Sequence, residues 1–288
     1  MVRLPSIFKV AIVLIADFLS MYTLFHDLAI AVIVTGMILL YVWLGGYISL
    51  FKEGAVRADK LPNYERRRLE NAKRQLAEDV KHASSANISG LRLYLISGDN
   101  GMQATAYGAN CISVSKGALH NTDPLTLNAL LCHEISHTLH FDPEYSRAVF
   151  ATILLICGAI SVMSFVFMAV IFLIFLVCSF FRSWFGVMAF RGTTKTVRGI
   201  FNLFQKGIVV IYRVIISYFS RVSEYRSDLY SAQLGYGIQL THFLSYAAPE
   251  SHRQLTLTEA LYRTHPATPK RVARLEAFVN NETRLETK

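Results

Sequence analysis

Long uncharged apolar stretches, separated by short polar breaks, divide this chain into membrane-like and water-facing parts. From 28 to 51 no residue is charged, and a helix of that length crosses about 30 Å of hydrocarbon at about 1.5 Å per residue. Residues 7–25 form another candidate span, with Lys9 near its start and Asp17 in its middle. An acid inside a spanning helix costs about 2.5–3.5 kcal/mol on insertion scales, so Asp17 is expected to face another helix. The longest uncharged run, 148–181, would reach about 50 Å as a single helix and overshoot the bilayer core. It must tilt, project from the membrane or fold back. One more apolar segment, 207–220, carries Arg213 inside and Lys206 and Arg221 at its borders.

The water-facing parts have their own periods. Leu69, Ala72, Leu76 and Val80 recur at helical spacing and predict a basic amphipathic helix from 63 to about 82. Residues 84–87 break it, and 91–96 then reads as a strand. Gly98, Asp99, Asn100 and Gly101 mark a turn before two short strands near 103–108 and 111–116. Further on, Leu127, Leu130, Leu131, Ile135 and Leu139 alternate at three and four residues, with Asp123 as a cap and Pro124 at the first helical position. Together these elements predict a mainly α membrane protein with about four transmembrane helices and a small β-sheet. Its expected parts are an N-terminal hairpin (1–51), a first soluble half (52–147), membrane segments (148–220), a second soluble half (221–276) and a polar tail (277–288). No internal repeat is present.

Composition supports the membrane reading. Of 288 residues, 53% are hydrophobic and mean hydropathy is +0.36, above the range of ordinary soluble domains. The net charge of +9 comes from basic residues beside the apolar segments. That placement suits anionic lipid headgroups and argues against nucleic acid, which would need a basic groove with aromatic platforms. Lys52, Arg57, Lys60, Arg66, Arg67, Arg68, Lys73 and Arg74 follow the second span, whereas only His26 and Asp27 lie between the first two. Basic residues stay on the cytoplasmic side, so both termini and the 123–139 helix are expected there. Arg182, Arg191, Lys195 and Arg198 oppose this if 148–181 and about 200–220 each cross; a re-entrant hairpin within 148–181 removes the conflict. No cleavable signal is evident. Cys111, Cys132, Cys157 and Cys178 form no paired framework and fit reduced, buried thiols. Nothing in the pattern specifies an oligomer.

Chemistry concentrates in the 123–139 helix. His133-Glu134-Ile135-Ser136-His137 places two imidazoles four residues apart on one face, with an acid beside them. Such a pair can hold one ion while Glu134 handles a proton, provided a third ligand comes from elsewhere. Two histidines and a glutamate buried without a partner would be costly. The best third ligand is Glu224, in Ser220-Arg221-Val222-Ser223-Glu224-Tyr225-Arg226-Ser227-Asp228. Asp228 shares its helix face and can accept the free ring N–H of a ligand histidine. The short strands have two readings, which can hold together: they brace the zinc helix, or an exposed edge pairs with an extended peptide.

The two halves of this metal motif resemble the HtpX-type membrane zinc endopeptidases, whose wider relatives include Oma-type proteases and CaaX prenyl-protein endopeptidases. Gln103-Ala104-Thr105-Ala106-Tyr107-Gly108 with Ile112–Leu119, Asp142, and Thr264-His265-Pro266 with Arg271-Val272-Ala273-Arg274-Leu275 resemble further stretches of that family. The resemblance covers about 63 to 276. It implies a gluzincin-like α+β protease domain and one Zn2+ per chain, on His133, His137 and Glu224. Glu134 is then the general base, Asp228 the partner of a ligand histidine, and His265 a donor to the developing oxyanion. Gln103, Ala104, Thr105 and Ala106 form the implied substrate-binding strand. The implied setting is a bacterial cytoplasmic (inner) membrane with the catalytic domain facing the cytoplasm, and the implied role is stress-related quality control of protein substrates in or on the bilayer. Alternatives are processing of lipidated C termini, and a zinc-stabilised scaffold without turnover. Glu134 argues against the scaffold, since a structural site gains nothing from a base beside its ligands.

Overall fold

A computed structural model describes residues 4–83, 86–180, 184–247 and 266–286. Two helices, α1 (Leu4–Phe25) and α2 (Leu28–Lys52), open the chain and pack on each other. His26 takes a left-handed φ of 50° at their junction, and the Asp27 side chain caps α2 by accepting from the N–H groups of Ala29 and Ile30. Asp17 is buried, as its position in an apolar helix requires. The amphipathic helix α3 spans Asn63–Ala83 and buries Leu69, Ala72, Leu76 and Val80, the four positions its period marks.

Four strands form one mixed sheet: β1 (Val56–Arg57), β2 (Arg92–Ile96), β3 (Ala104–Gly108) and β4 (Cys111–Ser115). Their order is β1-β2-β4-β3, antiparallel except for the parallel β2–β4 pair. The two-residue β1 is too short to carry a period, and the sequence pattern missed it. Strand β3 pairs on one side with β4 and is otherwise an edge. Ala109 and Asn110, at φ 48° and 60°, turn β3 into β4 with the positive φ values that a tight hairpin demands. After β4, the short α4 (Lys116–Asn121) is capped by Ser115 Oγ. Its Gly117 is a close approach: a Cβ there would lie 2.1 Å from the Asn100 carbonyl oxygen.

Helix α5 (Pro124–Leu139) begins as its sequence dictates, with Asp123 accepting from the N–H groups of Leu125 and Thr126 and Pro124 in the first turn. It packs against β3, β4 and α3, so nearly all its faces are covered. Leu127, Leu131 and Ile135 are fully buried in the core that α5 shares with α3 and the sheet. Helix α6 then runs unbroken from Asp142 to Phe180, and α7 from Trp184 to Ser231. The apolar pattern marked only 207–220 within α7, because Arg191, Lys195 and Arg198 obscure its earlier turns. Residues 149–216 form a separate unit in which α6 and α7 run antiparallel. There Gln205 donates to the Cys157 carbonyl at 3.1 Å and to Ser161 Oγ at 2.8 Å, and Phe175 stacks on Phe190.

A π-helical turn at Ala232–Tyr236 follows α7, with Gly235 at φ 87°. The kink sends Tyr236 into the core, where its hydroxyl meets Asp79 and Asn128. Helix α8 (Gly237–Ala247) packs on α5, and α9 (Thr268–Glu286) on α8. The stretch from 277 onward, expected as a tail, continues α9 as far as Glu286, and Phe278 packs against the core. Among the described residues four helical stretches are long and apolar enough to cross a membrane, which makes this an integral membrane protein with a small mixed sheet. We predict that Leu131→Ala lowers stability by about 2–5 kcal/mol, through lost transfer energy and a residual cavity. Leu125→Ala, at an exposed site, stays within about 0.5 kcal/mol. Thermal unfolding in detergent compares the two; equal losses would contradict this placement of the core.

Candidate metal centre

His133 and His137 stand one turn apart on α5, and their Nε2 atoms approach to 3.2 Å. Helix α7 brings Glu224 to the same point, with Oε2 3.5 Å from His133 Nε2 and Oε1 3.7 Å from His137 Nε2. One ligand atom from each of the three residues lies within 4.8 Å of the others. Lone pairs that converge so closely repel unless a positive charge sits among them. Tetrahedral zinc with ligands at about 2.0–2.1 Å separates neighbouring donors by about 3.3 Å, close to the spacing of the two nitrogens. The donor set therefore fits such an ion. His140 is no part of it, because its Nδ1 turns back to the Ser136 carbonyl at 2.7 Å. Cys132 is fully buried on another face of α5, and burial pushes its thiol well above the usual range.

Each imidazole has its own carboxylate, and each carboxylate its own guanidinium. His133 Nδ1 lies 3.0 Å from Asp228 Oδ1, an approach oblique for a hydrogen bond, and His137 Nδ1 lies 2.9 Å from Asp142 Oδ2. Arg271 on α9 grips Asp228 with two bonds, Nε to Oδ2 at 2.8 Å and Nη2 to Oδ1 at 2.6 Å. Its Nη1 reaches Glu224 Oε2 at 2.9 Å. Arg226 pairs with Asp142 more simply, its Nη2 meeting Oδ2, the oxygen that also faces His137. Formal charges explain why both arginines are needed. Glu134, Glu224, Asp142 and Asp228 contribute four negative charges and Arg226 and Arg271 two positive ones, so 4 − 2 leaves the two that a divalent cation cancels. That surplus shows in the titration of the neighbouring groups. Burial disfavours a charged His133, yet the Asp228 and Glu224 carboxylates prevail and raise its pKa to about 10. Burial likewise raises the Glu134 carboxyl above its ordinary value.

Glu134 points from the same helix toward the sheet edge. Its Oε2 accepts the Ala106 N–H at 2.7 Å, which places a candidate base beside β3. The preceding residue, Thr105, is exposed, and Gln103 holds Asp99 Oδ2 at 2.5 Å through its side-chain amide. His265 lies outside the described residues. The structure thus brings together His133, Glu134, His137, Glu224 and Asp228 with the Ala104–Ala106 strand. Two functional pairings escaped the sequence reading, Asp228–Arg271 and Asp142–Arg226. Asp142 and Arg271 stood only within stretches of family resemblance, and Arg226 only as a solvated neighbour of its acids.

A helical membrane scaffold, a small sheet and a buried His-His-Glu cluster beside an acid are the parts that a membrane metalloprotease needs. The chain belongs to peptidase family M48, whose sequence profile matches residues 66–279; peptidases of this family are zinc metallopeptidases. The fold is similar to that in the crystal structure of Ste24p from S. mikatae, at 16% identity and a TM-score of 0.50. The similarity covers 91% of this chain and 61% of that one, so this chain spans about three fifths of Ste24p's length. No curated protein matches the chain.

Arg271→Met should weaken zinc binding about 10–100-fold, the usual effect of losing a partner that orients a ligand. Lysine at this position should recover only part, because it lacks the bidentate fork. Competition with a metal chelator on the purified full chain measures this. Removing a cation strengthens attraction for zinc by Coulomb's law alone, so tighter binding in Arg271→Met would refute the orienting role.

Proposed function

We propose that this chain is an HtpX-like zinc endopeptidase that cuts membrane or membrane-associated proteins in quality control under stress. The observation that carries this reading is a single helix, α5, whose two histidines meet a distant glutamate while the acid between them bonds to an edge strand. His133, His137 and Glu224 would hold one zinc ion, which would supply a Lewis acid for the scissile carbonyl and lower the pKa of water. Asp228 and Asp142 fix the ring orientations of His133 and His137 by taking up their Nδ1 positions. Glu134 takes the proton of the hydrolytic water and hands it to the leaving amine. Burial raises its pKa, and a carboxylate of greater proton affinity is the better acceptor for the water's proton. The Ala106 N–H holds Oε2 and leaves Oε1 for the proton.

Substrate enters as an extended peptide along β3, pairing with the backbone of Gln103, Ala104, Thr105 and Ala106 as an added strand. Such pairing reads backbone and not sequence, which suits an enzyme for diverse damaged proteins. His265 then donates to the oxyanion. The basic residues around α2 and α3 favour a cytoplasmic catalytic side, and the resemblance to the HtpX-type enzymes favours a bacterial inner membrane.

Glu134→Gln should keep full zinc content and lower kcat by about 10²–10⁴-fold, read as casein cleavage after zinc is added to chelator-stripped protein in detergent. Undiminished cleavage by that variant would sink the mechanism. Glu224→Ala is expected to lose the metal itself; zinc content equal to the native chain's, by elemental analysis, would take Glu224 out of the ligand set.

A further inference from the structure

The far end of β3 is fastened to a membrane helix. Arg147, in the second turn of α6, donates from Nε to the Val42 carbonyl of α2 at 2.9 Å and from Nη1 to the Tyr107 carbonyl of β3 at 2.9 Å. Three turns of polypeptide are shaped around that guanidinium. A Cβ on Gly45 would lie 2.8 Å from Arg147 Cδ, and one on Gly46 would lie 2.2 Å from the Tyr107 carbonyl oxygen. The Gly45-Gly46 pair therefore gives α2 a flat face that admits the arginine stem and the strand. Beyond Tyr107, Gly108, Ala109 and Asn110 all have positive φ, and Glu144 accepts the Ala109 N–H at 2.6 Å. Backbone in this region persists only where its surroundings over-determine it. Glu144 is 2% exposed, so a carboxyl group has been buried to fix a turn.

An edge strand that receives a peptide must keep its shape before the peptide arrives, because half of its backbone groups have no strand partner. Strand β3 is held in its middle by Glu134 and at its end by Arg147. We propose that Arg147 is a positioning residue for substrate, locking β3 against α2 so that the N-terminal membrane helix serves as the back wall of the peptide-binding edge as well as an anchor. This rests on the peptidase reading above. It adds that binding of an extended chain depends on a contact made by the membrane hairpin, remote from the metal ligands. Release of the contact lets β3 and its turn shift, and binding pays before chemistry does.

Steady-state cleavage of an extended fluorogenic peptide by the full-length chain tests this, with zinc content measured on the same samples. Arg147→Met is expected to raise KM about tenfold, the scale of one lost charge-assisted hydrogen bond, with kcat and zinc content close to native. Arg147→Lys keeps one donor and should recover part of the loss. Gly46→Ala, which pushes on the Tyr107 carbonyl from the other side, should raise KM in the same way. If the native chain shows no zinc-dependent cleavage, the peptidase reading falls and the Arg147 assignment with it. If the native chain cleaves and both Arg147→Met and Gly46→Ala keep its KM, only the Arg147 assignment falls. Loss of zinc or of folded protein in step with activity in both variants would also overturn it, by showing that the contact holds the fold and not the strand.

Discussion

Compensation of buried charge governs this molecule's centre. Four carboxylates and two imidazoles occupy a small, largely buried volume between α5, the start of α6, α7 and α9. Burying an unpaired carboxylate is among the most expensive events in folding. The fold answers with two guanidiniums, Arg226 and Arg271, and with a place for a divalent cation. The same contacts that balance the charge also fix geometry. Asp228 can serve His133 only because Arg271 clamps both of its oxygens. Glu224 in turn is held at one oxygen by that arginine. Electrostatic balance and ligand placement are therefore one construction, spread over helices far apart in sequence.

Legibility in the sequence followed the range of the interactions. Local features were readable. Asp123 and Pro124 announced the start of α5, and Leu69, Ala72, Leu76 and Val80 gave the buried face of α3. Gly98 to Gly101 marked the turn ahead of β3. Each of these is set by backbone geometry within a few residues, so it leaves a period or a spacing. Glu224 and Asp228 were legible for a similar reason, as two acids one turn apart downstream of a motif that lacked a third ligand. The arginines gave no such sign. Arg271 meets Asp228 across 43 positions, and no period links residues on different helices. Arg147 beside Val42 and Tyr107 is harder still, because its partners are carbonyls, which every residue has. Charge also misled the reading of α7. A membrane criterion registers Arg191, Lys195 and Arg198 as interruptions, whereas a helix needs only its backbone bonds to continue through them.

The sheet shows how little β structure such a site needs. Strand β4 runs through the core, β2 and β1 brace it on one side, and β3 is left as the outer rail. Placing the zinc helix against β3 and β4 brings the acid of the motif to the edge where a peptide can lie. On the proposed mechanism chemistry and binding share one hydrogen bond, from the Ala106 N–H to Glu134. Loss of the Glu134 carboxylate would loosen the middle of the strand, while the Arg147 contact holds its far end.

Chain order has a consequence of its own. The two histidines belong to the first half of the polypeptide, while Glu224, Asp228 and Arg271 follow the long hydrophobic excursion. A ribosome-bound intermediate that has inserted its early helices holds the imidazoles without their anionic counterpart. On the peptidase reading, an unfinished copy is harmless to neighbouring nascent proteins. On that reading full metal affinity arrives when α9 docks and delivers its guanidinium, so the order of synthesis itself postpones cleavage.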